Sequence, residues 1–395
     1  MIDASLYDGR GQALVKHTFL DKYMPDQLPK IVHWADEFVY VDLFAGPWQA
    51  RSDDFADTSF GIALRHLSQA KAAQAALGRK IKVSAHLVEK DPLAFQRLTG
   101  AASLFPDVNV RCYHGRAEDH AQAIASSIGT RAFRFVVIDP KGVPDVRQFK
   151  CLIEPDRSEV LLNFMFEFAN RFAHTRDRMP TLEGWLRGLS DDDSWRNDFA
   201  DLRGEEREVA ITTRARPTIQ RMGNYQYAPA ITVDESDVDR PLYKLIYLTR
   251  HHVGLRVFRD AHLAALKAQA SYRTVRKQEL REAKTGMGDL FAGTRQIEPN
   301  ERSAVEMSRG ADDARAFVRE VVKYQREQGV LWRELWPRAL DACVTTHRQL
   351  ADVVGKLRDD GEIVVPAWTS RQLKIPKDDY RLYAAKHVPN KADPT

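Results

Sequence analysis

Apolar residues occur along the first 170 positions as short continuous runs, separated by longer stretches in which apolar and polar residues recur with helical spacing. Runs of this length are typical of strands buried on both faces, and their alternation with helices is the pattern of a parallel sheet covered by helices. We therefore predict five strands, with an Ala-, Leu- and Gln-rich helix at residues 60–77 between the first two. The predicted strands are residues 38–43, 83–88, 108–113, 133–138 and 160–164.

The pattern becomes looser between residues 174 and 240, where acidic runs interrupt it. We predict that this segment is an insertion that covers the edge of the sheet. The following segment, LYKLIYLTRHHVGLRVFRDAHLAAL, predicts a further strand and a helix that complete the sheet. The first domain then extends over residues 1–270, and the polar, charged residues 271–313 are predicted to form a linker.

Residues 314–395 predict a second domain. Amphipathic helices at 314–328 and 335–342 precede TTHRQLADVVGKLRDDGEIVVPAW, in which Thr345 can cap a third helix that runs to Arg358. Gly361 ends the turn after that helix, and residues 362–368 and 379–383 are predicted to pair as strands. Three helices followed by a pair of strands are the arrangement of a winged helix-turn-helix, a common nucleic-acid-binding domain.

Composition narrows the class of protein. The chain has 395 residues, of which 44% are hydrophobic and 29% charged, as expected for a globular protein of two or three domains. The longest apolar runs have the length of strands, and the N-terminal residues lack the apolar core of a signal peptide, so a cytoplasmic location is expected. The three cysteines are scattered and predict neither a zinc site nor a disulfide framework.

Charge is unevenly distributed along the chain. The net charge of +4 is too small to indicate nucleic-acid binding by the whole protein. Residues 315–395, however, contain fifteen Lys and Arg residues against eleven Asp and Glu residues. The basic excess therefore lies in the predicted winged domain.

The first chemical motif is FVYVDLFAGPW. Its strand ends at Asp42, and the short loop from Phe44 through Ala45 and Gly46 lets backbone amides approach a ligand at the carboxyl end of the strand. Methyltransferases hold the methionine part of S-adenosylmethionine in this way; the alternative is an ordinary Gly-Pro turn. Trp48 stands where many methyltransferases have a second glycine, and its indole face can either crowd the loop or lie against the adenine or the sulfonium.

The next two strands end in candidate cofactor ligands. In VSAHLVEKDP, Glu89 places a carboxylate at the carboxyl edge of the sheet, where it can accept both ribose hydroxyls of an adenosyl group. The alternative is a solvent-exposed glutamate at a strand end. After VRCYHGRAED, we predict that Ala117 and Glu118 border the adenine, although the same pattern is also an ordinary helix start.

The fourth strand ends in FRFVVIDPKG, which we predict to be the reaction centre. A target amine can donate to Asp139 and to the carbonyl of Pro140, which orients its lone pair for in-line attack on the methyl group. Amino-methyltransferases usually continue with a second proline and an aromatic residue that stacks on the base. This chain has Lys141 at that point, so stacking is expected from another aromatic side chain, such as Trp48, Phe164 or Phe166.

These motifs together resemble the three-Cys-motif partner protein family. The resemblance spans most of the chain and includes KHTFLDKYMP, YVDLFAGPW, TSFGIAL, LVEKDP, VIDPKG, EVLLNF, LYKLIYLTRHHVGLRVFRD and THRQLADVVGKLRDDGEIVVP. It implies a methyltransferase-like domain and a protein partner that bears three cysteines. The family more often has a second glycine at Trp48 and an aromatic residue at Lys141.

A second, partial similarity is to the adenine N6-methyltransferases of large-subunit ribosomal RNA. These enzymes carry a Lys-His pair in a helix before the first strand, and Lys16 and His17 match that pair. The similarity implies that the lysine lies beside the carboxylate of the cofactor, as an ammonium group favours. The alternative is a solvated helix face.

The sequence thus predicts an S-adenosylmethionine-dependent methyltransferase with a Rossmann-like class I methyltransferase sheet, helices on both of its faces and a C-terminal winged helix-turn-helix. The expected substrate is an amine of a nucleic-acid base in RNA or DNA, and no metal site is predicted. Two alternatives remain: a non-catalytic protein with a degenerate pocket that binds nucleic acid or a partner, and a methyltransferase whose substrate is a partner protein. A nicotinamide dehydrogenase is disfavoured because no GxGxxG follows the first strand.

Overall fold

Two units make up the chain in the computed structural model, Met1–Gly254 and Leu255–Thr395. The structure describes residues 2–46, 50–140, 145–165, 201–285, 297–325, 328–369 and 373–387. Within these ranges no helix is both long enough and apolar enough to cross a membrane.

A seven-stranded sheet forms the centre of the first unit, in the order β3-β2-β1-β4-β5-β7-β6. Strands β1 to β5 are parallel, whereas β7 runs antiparallel to both of its neighbours. The strands are β1 (Glu37–Asp42), β2 (Lys82–Glu89), β3 (Asn109–His114), β4 (Phe133–Ile138), β5 (Ser158–Phe164), β6 (Ala230–Asp234) and β7 (Pro241–Leu248). The strand order reverses between β1 and β4, and in open α/β sheets such a reversal leaves a crevice at the carboxyl ends of the strands.

Helices cover both faces of this sheet. They are α1 (Gly11–Ile31), α2 (Ser59–Ala76), α3 (Pro92–Ala102), α4 (Ala117–Ser127), α5 (Lys150–Ile153) and α6 (Gly204–Gly223). On one face, Val39 and Val136 share an apolar core with residues of α4, α5 and α6. On the other face, the ring of Tyr23 in α1 stacks on Phe135, with the ring centroids 4.9 Å apart. Strands buried on both sides must be apolar throughout, which explains their continuous hydrophobic runs.

The mixed α/β, Rossmann-like fold predicted from the sequence is confirmed. Each of the five predicted strands is present, with its ends within one or two residues of the predicted limits, and the helix predicted at 60–77 is α2. The strand predicted after residue 241 is β7, which lies between β5 and β6.

The prediction of an insertion at residues 174–240 is wrong for its second half. Residues 166–200 lie outside the described ranges, but residues 201–240 contain α6 and β6, which belong to the sheet domain itself. Strand β6 is the edge strand of the sheet, and Ile211 and Ile219 of α6 are buried in the core. The apolar stretch of β6 is too short to predict a strand from the sequence. Its antiparallel pairing with β7 stabilises it as one.

The predicted linker at 271–313 is also wrong in its described parts. Helices α7 (His252–Thr285) and α8 (Arg302–Gln325) occupy most of it, and the second unit begins at Leu255 rather than after residue 270. Glu301 is buried and forms ion pairs with Arg273 and with Lys277, whose Nζ lies 2.8 Å from Oε2. A segment whose charged residues form buried ion pairs has the same composition as a solvated linker. Composition alone therefore predicted a linker where the chain forms helices.

The second unit continues with α9 (Trp332–Ala342), α10 (His347–Asp359) and a three-stranded antiparallel sheet in the order β8-β10-β9. The strands are β8 (Val330–Leu331), β9 (Ile363–Val364) and β10 (Arg381–Ala384). The predicted pairing of the last two segments is present in the β9 and β10 ladder, whereas β8 was not predicted. Thr346, not Thr345, caps α10, in a capping box with Gln349.

Candidate active site at the carboxyl edge of the sheet

Four polar side chains lie where parallel strands reach the same edge of the sheet. Asp42 and Glu89 are the last residues of β1 and β2, Asp139 directly follows β4, and Asn163 is the penultimate residue of β5. The carboxyl ends of parallel strands meet at one edge, and this edge includes the point where the strand order reverses. The structure therefore places the three predicted acids in the region where a Rossmann-like sheet binds ligands.

Asp139 is held by two donors from different elements. Its Oδ2 forms an ion pair with Nζ of Lys16, which projects from α1, and its Oδ1 accepts a hydrogen bond of 2.6 Å from Nδ2 of Asn163. The Lys16 and Asp139 side chains are 12% and 22% exposed, so the pair is shielded but still open to solvent. The carboxylate of Asp139 is thus fixed in direction before any ligand is bound.

Helix α1 is anchored where it begins, which positions Lys16. The hydroxyl of Tyr243 in β7 donates to the carbonyl of Gln12 at 2.9 Å, and Arg10 forms a buried ion pair with Asp57. Lys16 lies one helical turn beyond Gln12 and therefore projects from the same face of α1. The helix before the first strand is in this way tied to the edge of the sheet.

Asp42 is a buried acid in the same cluster. It accepts hydrogen bonds of 3.1 Å from the Tyr40 hydroxyl and from the backbone N–H of Phe44. Burial raises the pKa of Asp42 to about 6, an effect that the positive charge of Lys16 opposes and the negative charge of Asp139 reinforces. Lys16 therefore interacts electrostatically with both acids.

The loop after β1 is threaded between neighbouring strands. The N–H of Leu43 donates to the carbonyl of Val137 in β4 at 3.1 Å, and the N–H of Ala45 donates to the carbonyl of Val88 in β2 at 2.9 Å. These bonds direct the chain across the strand ends toward Gly46. Trp48 and its two neighbours lie outside the described residues.

Glu89 is buried and is not the solvent-exposed glutamate of the alternative interpretation. Its Oε1 accepts a hydrogen bond of 2.6 Å from the N–H of Asp91, and its carbonyl accepts one of 3.0 Å from Gly115. The side chain thus shapes the turn that leads into α3. No described residue donates a hydrogen bond to Oε2, which remains able to accept one from a ligand.

Ala117 and Glu118 begin α4, next to the end of β3. Ala117 is buried in the apolar core, so only its backbone can face a ligand. The carboxylate of Glu118 lies 3.5 Å from the guanidinium of Arg116. Gly115, with φ of +140°, makes the sharp turn that joins β3 to this helix.

His17 lies apart from the acids, although it neighbours Lys16 in sequence. Its Nδ1 is 2.9 Å from the Tyr7 hydroxyl and its Nε2 is 3.3 Å from Oγ of Ser59. Burial, together with the positive charges of Lys16 and Arg10, keeps the pKa of His17 well below its usual value. A neutral imidazole with both nitrogens engaged joins α1 to its neighbours, and neither Lys16 nor His17 lies on a solvated helix face.

Of the other residues predicted at or near the reaction centre, two are described by the structure and both are buried. Pro140 is buried, whereas Lys141 and Phe166 lie outside the described residues. Phe164 is 0% exposed and belongs to the apolar core. It is therefore not available to stack on a base, and the prediction for that residue is wrong.

Asn163 was missed by the analysis of the sequence. Its only signal was a polar residue inside the apolar run VLLNF, at a position where β5 is buried on both faces. A buried amide in such a strand needs partners. Asp139 supplies one, and the sequence alone does not reveal that β4 and β5 are adjacent.

Groups that would indicate metal or disulfide chemistry are not seen in the described part of the chain. No cluster of three or more His, Cys, Asp or Glu side chains there is arranged to hold a metal ion. Cys112, Cys151 and Cys343 are free thiols, and burial raises the pKa of Cys112 and of Cys343 to about 11.

Comparison with known proteins gives no match: the chain matches no family model and, at a significant level, no curated protein. The resemblance to the three-Cys-motif partner proteins accordingly rests on the motifs in the sequence.

Proposed function

We propose that the protein is an S-adenosylmethionine-dependent methyltransferase that acts on an amine nitrogen. The observation that carries the proposal is the cluster of Lys16, Asp42, Asp139 and Asn163 at the carboxyl edge of the sheet, with Glu89 on the adjacent strand. The order of the strands supports it, because it reverses between β1 and β4, where open α/β sheets bind their ligands.

The residues present fit S-adenosylmethionine. Glu89 offers a carboxylate with one oxygen that takes no hydrogen bond from a described residue and can accept one from a ribose hydroxyl. Lys16 offers an ammonium for the carboxylate of the cofactor, and Ala45 and Gly46 offer a backbone that passes close to the strand ends. When bound, the cofactor supplies an electrophilic methyl group on a sulfonium.

The chain's own residues then orient the target. Asp139 accepts a hydrogen bond from the target amine, which turns the nitrogen lone pair toward the methyl carbon. In the transfer, the bond from nitrogen to carbon would form as the bond from carbon to sulfur breaks with its electrons staying on sulfur. The proton that the methylated nitrogen loses would pass to water, which can reach the site because the Asp139 side chain is 22% exposed. A carboxylate beside the nitrogen stabilises the positive charge that develops there.

The second unit supports a nucleic-acid substrate. We propose that α8, α9 and α10, together with the three-stranded antiparallel sheet of β8, β9 and β10, form a winged helix in which α10 is the recognition helix. Arg348 and Lys356 are exposed on α10, and Lys374 and Lys377 are exposed ahead of β10. Lysine and arginine side chains in such positions neutralise phosphates.

A second candidate function is a non-catalytic protein that binds nucleic acid or a partner, such as the three-cysteine protein that the family resemblance implies. One observation favours it: both carboxylate oxygens of Asp139 already accept hydrogen bonds, from Lys16 and from Asn163. The target amine must therefore use the remaining lone pairs or draw Lys16 away from Asp139.

Two measurements test the proposal. Calorimetry should detect binding of S-adenosylmethionine, and Glu89→Ala should weaken it by about 1.5–3 kcal/mol because a charged hydrogen-bond partner is lost. Transfer of a tritiated methyl group to total RNA or genomic DNA should be detected with the wild-type protein. Binding without transfer to RNA, DNA or proteins would support the non-catalytic function, and unchanged affinity of Glu89→Ala would contradict the ribose contact.

A further inference from the structure

Asn163 has an amide whose orientation is set by its neighbour. Nδ2 donates to Oδ1 of Asp139 at 2.6 Å, and a carboxylate that is paired with Lys16 can only accept there. The NH₂ group must therefore face Asp139. The amide oxygen, Oδ1, then faces away from the carboxylate.

That oxygen is buried without a partner. Asn163 is 8% exposed, and among the described residues no donor reaches its Oδ1. A buried amide oxygen without a hydrogen bond costs on the order of 1–3 kcal/mol of folding free energy. Unsatisfied polar atoms of this kind occur where a ligand supplies the missing donor.

We propose that Oδ1 of Asn163 accepts a hydrogen bond from the amine that is methylated, an inference that rests on the proposed function. Asp139 then has two roles, since it fixes the amide of Asn163 and stabilises the charge that develops on the nitrogen. Asn163 lies on β5 and Asp139 directly follows the adjacent β4, and one hydrogen bond joins the two side chains. A primary amine has two hydrogens, one for each acceptor.

This arrangement selects the substrate class. A carbon target has no hydrogen to donate to Oδ1. A hydroxyl target must lose its proton to a base during methylation, whereas both oxygens of Asp139 are already engaged, by Lys16 and Asn163, and an amide oxygen is too weak a base. An exocyclic amino group of a nucleobase needs only orientation before attack, which two acceptors provide.

The test uses two analogues of the cofactor and the full-length protein. Sinefungin has a charged amine in the position of the cofactor's methyl group. S-adenosylhomocysteine lacks the methyl group and has no substituent at that position. The amine of sinefungin is therefore a probe for acceptors at the reaction centre. Calorimetry gives the affinity of both analogues for each variant, and thermal melting checks that each variant folds.

Asn163→Leu removes the acceptor and keeps the number and the branching of the side-chain heavy atoms. We expect it to leave S-adenosylhomocysteine affinity unchanged and to lower sinefungin affinity by about tenfold or more. Asn163→Asp keeps an acceptor and should retain the preference for sinefungin. Asn109→Leu, the same change at an exposed position of β3, is the matched control and should alter neither affinity.

The remaining outcomes of this experiment separate an error in the inference from an error in the proposed function. If Asn163→Leu does not fold, Asn163→Ala removes the same oxygen and is expected to give the same result. If Asn163→Leu changes both affinities equally, or neither, the inference is wrong while the proposed cofactor site stands. If the wild-type protein binds neither analogue, the proposed function itself is wrong, and the inference with it.

Discussion

At the scale of single residues, the proposed function assigns the chemical step to Asp139. Asp139→Asn keeps an oxygen that can accept from Asn163 but removes the charge that pairs with Lys16. We expect cofactor affinity to be retained and the rate of methyl transfer to fall by about a hundredfold or more, as loss of a positioned catalytic group commonly does. Single-turnover kinetics with tritiated cofactor measure the rate. Wild-type turnover by this variant would make Asp139 a structural strand end.

Asp42 makes the stability of the protein depend on pH. Its pKa is raised from 3.8 to about 6 in the folded state, mainly by burial. The stability that its protonated form contributes is fully present below about pH 4 and is lost as the pH rises through about 6. Because one pKa unit corresponds to about 1.4 kcal/mol, the loss amounts to about 3 kcal/mol.

Asp42→Asn should abolish this dependence. Between pH 4 and pH 7, the free energy of unfolding of the wild-type protein should fall by about 2 kcal/mol relative to that of the variant, because the unfolded carboxyl is already partly ionised at pH 4. Urea unfolding of both proteins at the two pH values measures the difference. Parallel pH profiles would show that Asp42 is ionised in the folded protein at low pH.

At the scale of elements, α2 depends on a close approach at its first turn. A Cβ atom on Gly61 would lie 2.1 Å from the carbonyl oxygen of Phe55, which itself has φ of 55°. This loop also contains Asp57, which pairs with Arg10 at the start of α1. Backbone at this distance has to move if Gly61 is replaced by any other residue.

We therefore expect Gly61→Ala to destabilise the protein by about 1–3 kcal/mol, the usual cost of overpacking. The matched control is Gly100→Ala in α3, where the added Cβ meets no atom within 4 Å. This change should stabilise by about 0.5–1 kcal/mol, because alanine favours helix. Equal effects of the two substitutions on urea unfolding would contradict the close approach at Gly61.

At the scale of the whole molecule, the division of the chain predicts where it can be cut. The contact boundary follows Gly254, whereas composition suggested a cut near Asp313. Asp313 lies inside α8, directly before buried Ala314 and ahead of buried Val318. A cut there exposes an apolar helix face, so we expect residues 1–313 to be less soluble than residues 1–254.

Residues 1–254 should melt cooperatively and should still bind S-adenosylhomocysteine, because the sheet and the four site residues lie within them. Affinity for total RNA and genomic DNA should fall, and its dependence on salt should become weaker, because the basic second unit is missing. Nitrocellulose filter binding at several salt concentrations measures both quantities. The same affinity and salt dependence in the shortened protein would place the nucleic-acid contacts in the first unit.

The sequence by itself determined the strands β1 to β5 and the identity of three acids at their ends. Hydrophobic runs report burial on two faces, and burial on two faces is a local property that each strand carries in its own residues. The order of the motifs then placed Asp42, Glu89 and Asp139 at one edge, because parallel strands all end there.

Only the tertiary structure decided which side chains meet. Asn163 contacts Asp139 because β5 lies beside β4. Lys16 contacts Asp139 because α1 packs over the sheet, although 123 residues separate the two. Strand β6, helix α6 and the paired charges around Glu301 were missed for the same reason. Their polar residues are stabilised by partners distant in the chain, and no local pattern records a partner that folding brings into contact.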